Sequence, residues 1–240
     1  LKDASASLLG MFLRILLSLR YKVRESGLEN IPAMAEGGGA SGRDAAGITP
    51  RFPSRHTDNG SALSRQPGIL FLPNHPALID PVIVYSRLAG LKPRPLVDDG
   101  QMQGRIQKLA GKIIRAVIVP DLRKAGREGV GETRKALGTV IEALQNGDNI
   151  LLYPSGRVYR SEREEIGANS AVAQILAAVP GCRVVLVRTR GLWGSSFSYA
   201  SGKIPLLMRR LVQGALSVLG NLLFLTPRRE VEMYFTEPKD

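Results

Sequence analysis

The segment from Leu72 to Pro81 holds the residues of this sequence that are best suited to acid–base chemistry. It reads Leu-Pro-Asn-His-Pro-Ala-Leu-Ile-Asp-Pro, so His75 and Asp80 are separated by four residues. A regular helix would place their side chains about 140° apart, on different faces, and the prolines disfavour a helix here. A turn that folds His75 back onto Asp80 would let the carboxylate hold one ring nitrogen and leave the other as a general base.

The same residues also have a purely structural interpretation. Pro81 suits the first position of a helix, which would make Asp80 the N-cap and His75 an ordinary turn residue. The spacing of His75 and Asp80 alone does not decide between the two interpretations. The second histidine, His56, lies in a Gly- and Ser-rich stretch, so His75 is the better candidate for a base.

The elements around these residues alternate between short apolar runs and longer helical patterns. We predict helices over residues 5–19, 81–88, 101–114, 131–144 and 168–179, and strands over 21–26, 69–72, 95–97, 116–119, 149–153, 183–187 and 230–235. Strands separated by helices predict an α/β fold, with a mostly parallel central sheet flanked by helices. Because ligands bind beyond the carboxyl ends of such strands, the stretches after the strands are where a site is expected.

Charge and composition limit the class of protein. The 240 residues include 33 Lys and Arg against 21 Asp and Glu, a net charge of +12, and 44% are hydrophobic. This apolar share supports a core, and the charge favours a polyanionic partner such as nucleic acid, an anionic membrane surface or a phosphate-bearing substrate. The single cysteine, Cys182, excludes a disulfide framework and a Cys-based zinc site, and we expect no metal.

Two apolar stretches, residues 8–19 and 204–225, indicate contact with a membrane. Arginines interrupt or flank both, and neither offers the roughly 20 apolar residues that span a bilayer. We expect both to lie in the membrane interface, with basic residues such as Arg14, Arg209 and Arg210 at the headgroups. Two buried helices of a soluble domain are the alternative. The prediction is a peripheral or monotopic protein on the cytoplasmic face of a membrane.

The chain divides into an N-terminal interfacial helix, residues 1–20, and one domain, residues 21–240. Within that domain, residues 33–66 are rich in Gly, Ser, Ala and Arg without an apolar period, which predicts a flexible insertion. Residues 204–225 form an apolar, membrane-proximal segment with helical character. The first residue is Leu1 rather than Met, so we expect part of a longer polypeptide.

The segment from Asn74 to Pro81 resembles the NHx4D block of the glycerolipid acyltransferases, the lysophosphatidic acid acyltransferases and their relatives. Three further blocks follow in the family's order, at residues 117–123, 153–160 and 184–187. The resemblance covers roughly residues 20–32 and 67–190. The 21–240 domain is therefore interpreted as an acyltransferase domain.

The third block departs from the family's usual Phe-Pro-Glu-Gly-Thr-Arg. Here Tyr153 opens the block, Ser155 takes the place of the glutamate, and Arg157 directly follows Gly156. Ser155 cannot act as a carboxylate, so any acceptor-orienting role of that glutamate is missing or moved, with Glu162 and Glu164 as candidates. Either Arg157 or Arg160 can replace the family's arginine.

The resemblance implies transfer of a fatty acyl group from a thioester to the free hydroxyl of a lysophospholipid such as 1-acylglycerol-3-phosphate. Acyl-CoA or acyl carrier protein would be the donor, with no other cofactor. His75 is then the general base, oriented by Asp80, and backbone N–H groups beside His75 or at Gly156 would stabilise the oxyanion. In the second block, Arg123, Lys124 or Arg127 is expected to bind the substrate phosphate. The full set of predicted substrate-binding residues is Asn74, Arg123, Lys124, Ser155, Gly156, Arg157 and Arg160.

The sequence leaves three alternatives to an active acyltransferase to compare. A serine hydrolase would need a G-x-S-x-G nucleophile turn, which the sequence lacks. A nucleic-acid-binding protein fits the charge, but aromatic residues are only 5% and no nucleic-acid motif is present, so we expect no nucleic-acid partner. Because Ser155 replaces the usual glutamate, a lipid-binding member of the same fold with weakened catalysis is the third alternative.

Trp193 follows the last block. It is predicted either to line an acyl channel or to pack in a surface loop.

Overall fold

A computed structural model describes residues 2–31, 66–102, 104–119, 122–166, 170–202 and 228–238. The predicted insertion, up to residue 65, and the apolar segment at 204–225 lie outside these ranges. Both therefore stay predictions.

Within the described residues, seven strands form one sheet that is parallel except at one pair. The strands are β1 (Tyr21–Ser26), β2 (Ile69–Pro73), β3 (Arg94–Asp98), β4 (Val117–Val119), β5 (Ile150–Leu151), β6 (Arg183–Arg190) and β7 (Arg229–Thr236). Their order is β1-β7-β6-β2-β5-β3-β4. Only β6 and β7 pair antiparallel. The predicted mostly parallel α/β sheet is confirmed.

Helices pack on both faces of this sheet. They are α1 (Lys2–Ser18), α2 (Asp80–Leu88), α3 (Arg105–Ile113), α4 (Leu122–Gln145) and α5 (Ala171–Ala178). Because side chains alternate along a strand, Ile69 and Phe71 of β2 join the core beneath α1 and α2, and Leu70 joins the core beneath α4 and α5. Strand β2 is thus buried on both faces, and the turn that follows it starts from the rigid centre of the fold.

Helix α4 is longer than the predicted 131–144, because it begins at Leu122. The glycines in this helix do not prevent it from forming, since each costs a helix only about 1 kcal/mol relative to alanine. The last turns of the helix bury Val140 and Leu144 completely against the sheet. Basic residues expected in a loop after β4 therefore lie on a helix, namely Arg123, Lys124 and Arg127. Their side chains are outside the described part of the structure.

Helix α1 is held against α2 by Arg14 and by a close approach at Gly10. The Arg14 guanidinium donates to Ser86 O at 2.7 Å and to Arg87 O at 2.8 Å, near the end of α2. A Cβ at Gly10 would lie 2.1 Å from Ala89 Cβ, so only glycine fits this contact. The prediction that Arg14 lies at the headgroups is wrong, because carbonyls at a helix end attract its donors.

The side of α1 that faces away from α2 is apolar and exposed. Its large side chains are each more than half exposed, and they recur at the three- and four-residue spacing of one helix face: Leu8, Met11, Phe12, Ile15 and Leu16. Leu109 on α3, which contacts α1, is 61% exposed as well. Of the helices in the described ranges, none combines the length and apolar character needed to cross a bilayer.

Candidate active site

Asn74 follows β2 directly and joins the end of this strand to β6. The last backbone pair of the two strands is Pro73 with Val187, and β6 continues to Arg190. Beyond that pair, Asn74 Oδ1 accepts from Thr189 N at 2.6 Å, and Nδ2 donates to Thr189 O at 3.0 Å. The amide side chain thus replaces a strand residue, and it fixes the start of the His75 turn.

His75 and Asp80 lie together at the carboxyl end of β2. His75 Nδ1 is 3.8 Å from Asp80 Oδ2, and the two side chains are 11% and 0% exposed. This distance permits electrostatic attraction but is too long for a hydrogen bond. Tyr159 N donates to His75 O at 3.0 Å, which ties the turn to the segment after β5. Because Nδ1 is buried beside Asp80, Nε2 is the ring nitrogen left for a substrate.

Asp80 does not cap the helix that it begins. The N-cap position of α2 is Ile79, and Asp80 is the first helical residue. Asp80 Oδ2 accepts from Tyr153 OH at 2.9 Å, and Oδ1 has no hydrogen-bond partner among the described residues. The N-cap interpretation is therefore wrong, and the first-turn position itself favours a negative charge through the helix dipole.

Burial controls the protonation of both groups. Desolvation lowers the pKa of His75 to about 4, against a smaller opposing effect of the Ala77 backbone. Desolvation raises the pKa of Asp80 to about 8, although the hydrogen bond from Tyr153 and the nearby Thr189 hydroxyl oppose this rise. His75 is thus neutral near pH 7, as a base must be. A protonated Asp80, however, would donate to Nδ1 and leave the imidazole proton on Nε2, so only ionised Asp80 stabilises the tautomer that can act as a base.

Tyr153 contacts both members of the pair, and sequence reasoning did not select it. Besides its hydrogen bond to Asp80, its ring stacks on the His75 ring with centroids 4.3 Å apart and planes tilted by 38°. Burial raises the pKa of the Tyr153 hydroxyl well above its ordinary value, and the neighbouring Asp80 adds to the rise. The available signal was the tyrosine that opens the third block in place of the usual phenylalanine.

The predicted residues of the third block form a turn beside the pair. Gly156 has a φ of 63°, which favours glycine, and its N–H donates to Tyr153 O at 3.0 Å. This N–H is therefore engaged in the turn rather than free for an oxyanion. Ser155 Oγ donates to Arg157 O at 2.9 Å, and the Arg157 guanidinium lies 3.5 Å from Glu165.

Two adjoining clefts open next to the His75 turn. The larger, of about 420 Å³, is lined by Asn74 and Pro76 on either side of His75 and by residues at the end of β6. The smaller, of about 270 Å³, contains Arg157 and Arg160. Tyr159, Arg163 and Glu164 line both. The predicted Asn74, Arg157 and Arg160 thus border the clefts, whereas the side chains of Arg123 and Lys124 lie outside the described part of the structure.

Glu164 extends a carboxylate into this junction. It is half-buried, its Oε2 lies 3.4 Å from Tyr159 OH, and its Oε1 has no hydrogen-bond partner among the described residues. Burial raises the pKa of Glu164, while Ser155, Tyr159 and the His75 backbone lower it to a smaller extent. Glu162 lines the larger cleft as well. Of the two glutamates proposed from the sequence, Glu164 is the one in contact with the predicted site.

The end of β6 supplies cations to which the sequence analysis assigned no role. The strand was predicted to stop at residue 187 but continues to Arg190, so Arg188 and Arg190 line the larger cleft together with Trp193. Alternation along β6 exposes both arginines and buries Thr189 between them. The loop carrying Trp193 is held by Arg229, whose guanidinium donates to Trp193 O at 2.7 Å.

The family of this chain follows from comparison with known proteins. A family model described as Acyltransferase matches residues 22–190, and the chain belongs to the acyltransferase family. Its fold is similar to that of the 1-acyl-sn-glycerophosphate (LPA) acyltransferase PlsC from Thermotoga maritima, with a TM-score of 0.57 and 16% identity over 98% of this chain and 68% of that one. A search of curated proteins found no match. The predicted resemblance to glycerolipid acyltransferases is thereby confirmed.

Proposed function

We propose that this protein transfers a fatty acyl group from a thioester to the free hydroxyl of a lysophospholipid such as 1-acylglycerol-3-phosphate. The observation that carries the proposal is the pair of His75 and Asp80, 3.8 Å apart and buried, beside a cleft that contains arginines. A hydroxyl is a weak nucleophile at neutral pH and needs a base at the moment of attack.

The reaction uses no nucleophile from the protein. His75 Nε2 removes the proton from the acceptor hydroxyl as its oxygen attacks the thioester carbonyl carbon, and ionised Asp80 stabilises the imidazolium that forms. The tetrahedral intermediate then collapses, the C–S bond breaks, and the imidazolium returns its proton to the leaving thiolate. The products are an ester and a thiol.

Arg188 and Arg163 are the proposed ligands of the acceptor phosphate. Both line the larger cleft, and neither pairs with a carboxylate among the described residues. The predicted ligand Arg157 is already paired with Glu165. Guanidinium groups bind phosphate through paired donors, so an unpaired arginine near His75 is the better candidate.

Glu164 is proposed to orient the acceptor. A carboxylate accepts hydrogen bonds from hydroxyl groups, and this one lies at the junction of the clefts next to Ser155. It would take the role that Ser155 cannot perform.

The exposed face of α1 is proposed to hold the protein on the cytoplasmic leaflet. Leu8, Phe12 and Ile15 form an apolar surface, and a net charge of +12 favours an anionic bilayer. Such attachment would bring the clefts to an amphiphilic substrate.

The deciding experiment is lipid mass spectrometry after incubation with lysophosphatidic acid, lysophosphatidylethanolamine and monoacylglycerol, each with acyl-CoA or acyl carrier protein as donor. Formation of a diacyl product that His75→Ala abolishes supports the proposal. Ser155 in place of glutamate favours a second candidate, a lipid-binding member of the fold with weakened catalysis. In that case single-turnover assays give no product, while lysolipid still binds.

A further inference from the structure

The Asp80 carboxylate is the group in this site whose position and charge need most support. It is fully buried, and a buried carboxylate without hydrogen bonds prefers to be neutral. The proposed reaction nevertheless needs it ionised, because a protonated Asp80 would place the imidazole proton on the wrong nitrogen.

The surroundings of Asp80 contain one strong donor. Tyr153 OH lies 2.9 Å from Oδ2, which is the same oxygen that faces His75 Nδ1. The other groups are the Thr189 hydroxyl on β6, the Glu164 carboxylate, which disfavours the charge, and Tyr159, whose hydroxyl bonds Asn74. Among these described neighbours no cation offsets the Asp80 charge unless His75 takes up a proton.

We propose that Tyr153 is a positioning residue for the pair of His75 and Asp80, a role that rests on the proposed function. Its hydroxyl donates to Oδ2 and thereby favours the ionised form of the carboxylate and orients it towards Nδ1, while its ring packs on the imidazole at 4.3 Å and limits the ring's rotation. A carboxylate oxygen has two lone pairs, so Oδ2 can accept from Tyr153 and His75 together once the gap of 3.8 Å closes. Phenylalanine at position 153 would keep the packing on the imidazole but lose the hydrogen bond that favours the ionised form of Asp80.

Asp80 can be observed directly by NMR of protein labelled at aspartate Cγ, with Asp80→Asn to assign its signal. Tyr153→Phe is expected to raise the titration midpoint of Asp80 by about one pH unit or more, since a hydrogen bond to an ionised group is stronger than one between neutral groups. Replacing Tyr153 with 3-fluorotyrosine, a more acidic phenol, is expected to lower the midpoint. Tyr85→Phe, which removes a hydroxyl from another buried tyrosine on α2, is the control and should leave the midpoint unchanged.

The pH profile of acyl transfer gives the second measurement. In Tyr153→Phe the acid limb of kcat/KM should move to higher pH in step with the NMR midpoint, whereas a loss of packing alone would lower activity at every pH without moving the limb. An unchanged midpoint in both Tyr153 variants overturns the proposal. If Tyr153→Phe does not fold, the fluorotyrosine protein decides. Midpoint shifts without any acyl transfer would overturn the proposed function and leave the control of Asp80 by Tyr153 standing.

Discussion

The side chain of Asn74 pairs with the backbone of Thr189 through both its oxygen and its nitrogen. Oδ1 accepts from Thr189 N at 2.6 Å and Nδ2 donates to Thr189 O at 3.0 Å, which extends the pairing of β2 and β6 by one step. The turn that carries His75 therefore begins from a fixed point. The same amide also donates to Tyr159 OH at 2.7 Å, so one residue connects three segments of the site.

Asn74→Ala is expected to lower both stability and activity. It leaves the N–H and C=O of Thr189 without their partners in a partly buried position, which costs about 1–3 kcal/mol in the free energy of unfolding. The measurement is chemical denaturation alongside kcat/KM. Asn30→Ala, at an exposed position far along the chain from the site, is the control. Equal losses of stability in the two variants would contradict the role of Asn74.

Asp80→Asn should become more stabilising as the pH rises. The folded-state pKa of Asp80 is raised from 3.8 to about 8 by burial, so the wild type binds this proton more tightly when folded and loses that stability between pH 4 and 8. Asparagine has no such loss. The free energy of unfolding of the variant minus that of the wild type should increase by about 2 kcal/mol or more from pH 5 to pH 8.

Acyl transfer should be abolished in the same variant, because asparagine cannot stabilise the imidazolium. The contribution of His75, whose folded pKa is lowered to about 4, falls as the pH drops from 6.5 towards 4. Because Asp80 with a folded pKa of about 8 is protonated and uncharged in this range, as asparagine is, the contribution of His75 is the same in both proteins. The measurement is the free energy of unfolding of both proteins between pH 5 and pH 8. If the value of the variant minus that of the wild type falls towards pH 8, Asp80 is ionised and paired at neutral pH, and the prediction is wrong.

Arg188→Gln should weaken use of acceptors that carry a phosphate. We expect KM for lysophosphatidic acid to rise about tenfold or more, since a charged hydrogen bond to phosphate is worth about 1.5–3 kcal/mol, and monoacylglycerol turnover to change little. Arg183→Gln is the matched control, because Arg183 lies at the other end of β6 and pairs with Glu237. If both acceptors lose the same factor, Arg188 does not bind the phosphate.

Glu164→Gln, compared with Glu162→Gln, tests which of the two glutamates of the cleft orients the acceptor. The change removes the charge next to Ser155 and Tyr159 and should reduce kcat/KM about tenfold or more, since a charge-assisted hydrogen bond to the acceptor is lost. Glu162→Gln also alters a residue that lines the larger cleft, but it should stay near the wild-type rate. Steady-state kinetics on a detergent-dispersed acceptor tests both. If Glu162→Gln reduces kcat/KM more than Glu164→Gln does, Glu162 is the residue that orients the acceptor.

Phe12→Ser combined with Ile15→Ser should release the protein from membranes. Each side chain is at least 60% exposed on α1, and burying such a side chain in lipid contributes about 1.5–3 kcal/mol. Liposome sedimentation should therefore show at least a tenfold loss of binding, with turnover of a detergent-dispersed substrate preserved. Leu176→Ser, on an exposed position of α5, is the control. Equal loss in the control would rule out α1 as the attachment surface.

Much of the fold could be predicted from local pattern. Strand β1 was predicted with its observed bounds, and β2 and α2 differ from the prediction by one residue each, because apolar runs stopped by proline mark buried strands. Helix α4 was too short in the prediction, since glycine lowers local propensity and tertiary packing overrides that small cost. Strand β6 was too short because Arg188 and Arg190 look like loop residues until alternation places Thr189 in the core.

For the site, the sequence by itself determined the residue types of a base and its carboxylate, the order of the motif blocks, and a surplus of positive charge. Tertiary structure alone decided which partner each group meets. Asp80 bonds Tyr153, which follows β5, rather than capping its own helix, Glu164 and Arg188 converge beside Asn74, and Arg14 faces a helix end. The hydrogen bonds of Arg14 and Asp80 join residues 72 and 73 apart in the chain. Spacing along a sequence specifies only neighbours on one element, whereas the ionisation of a buried group depends on every element packed around it.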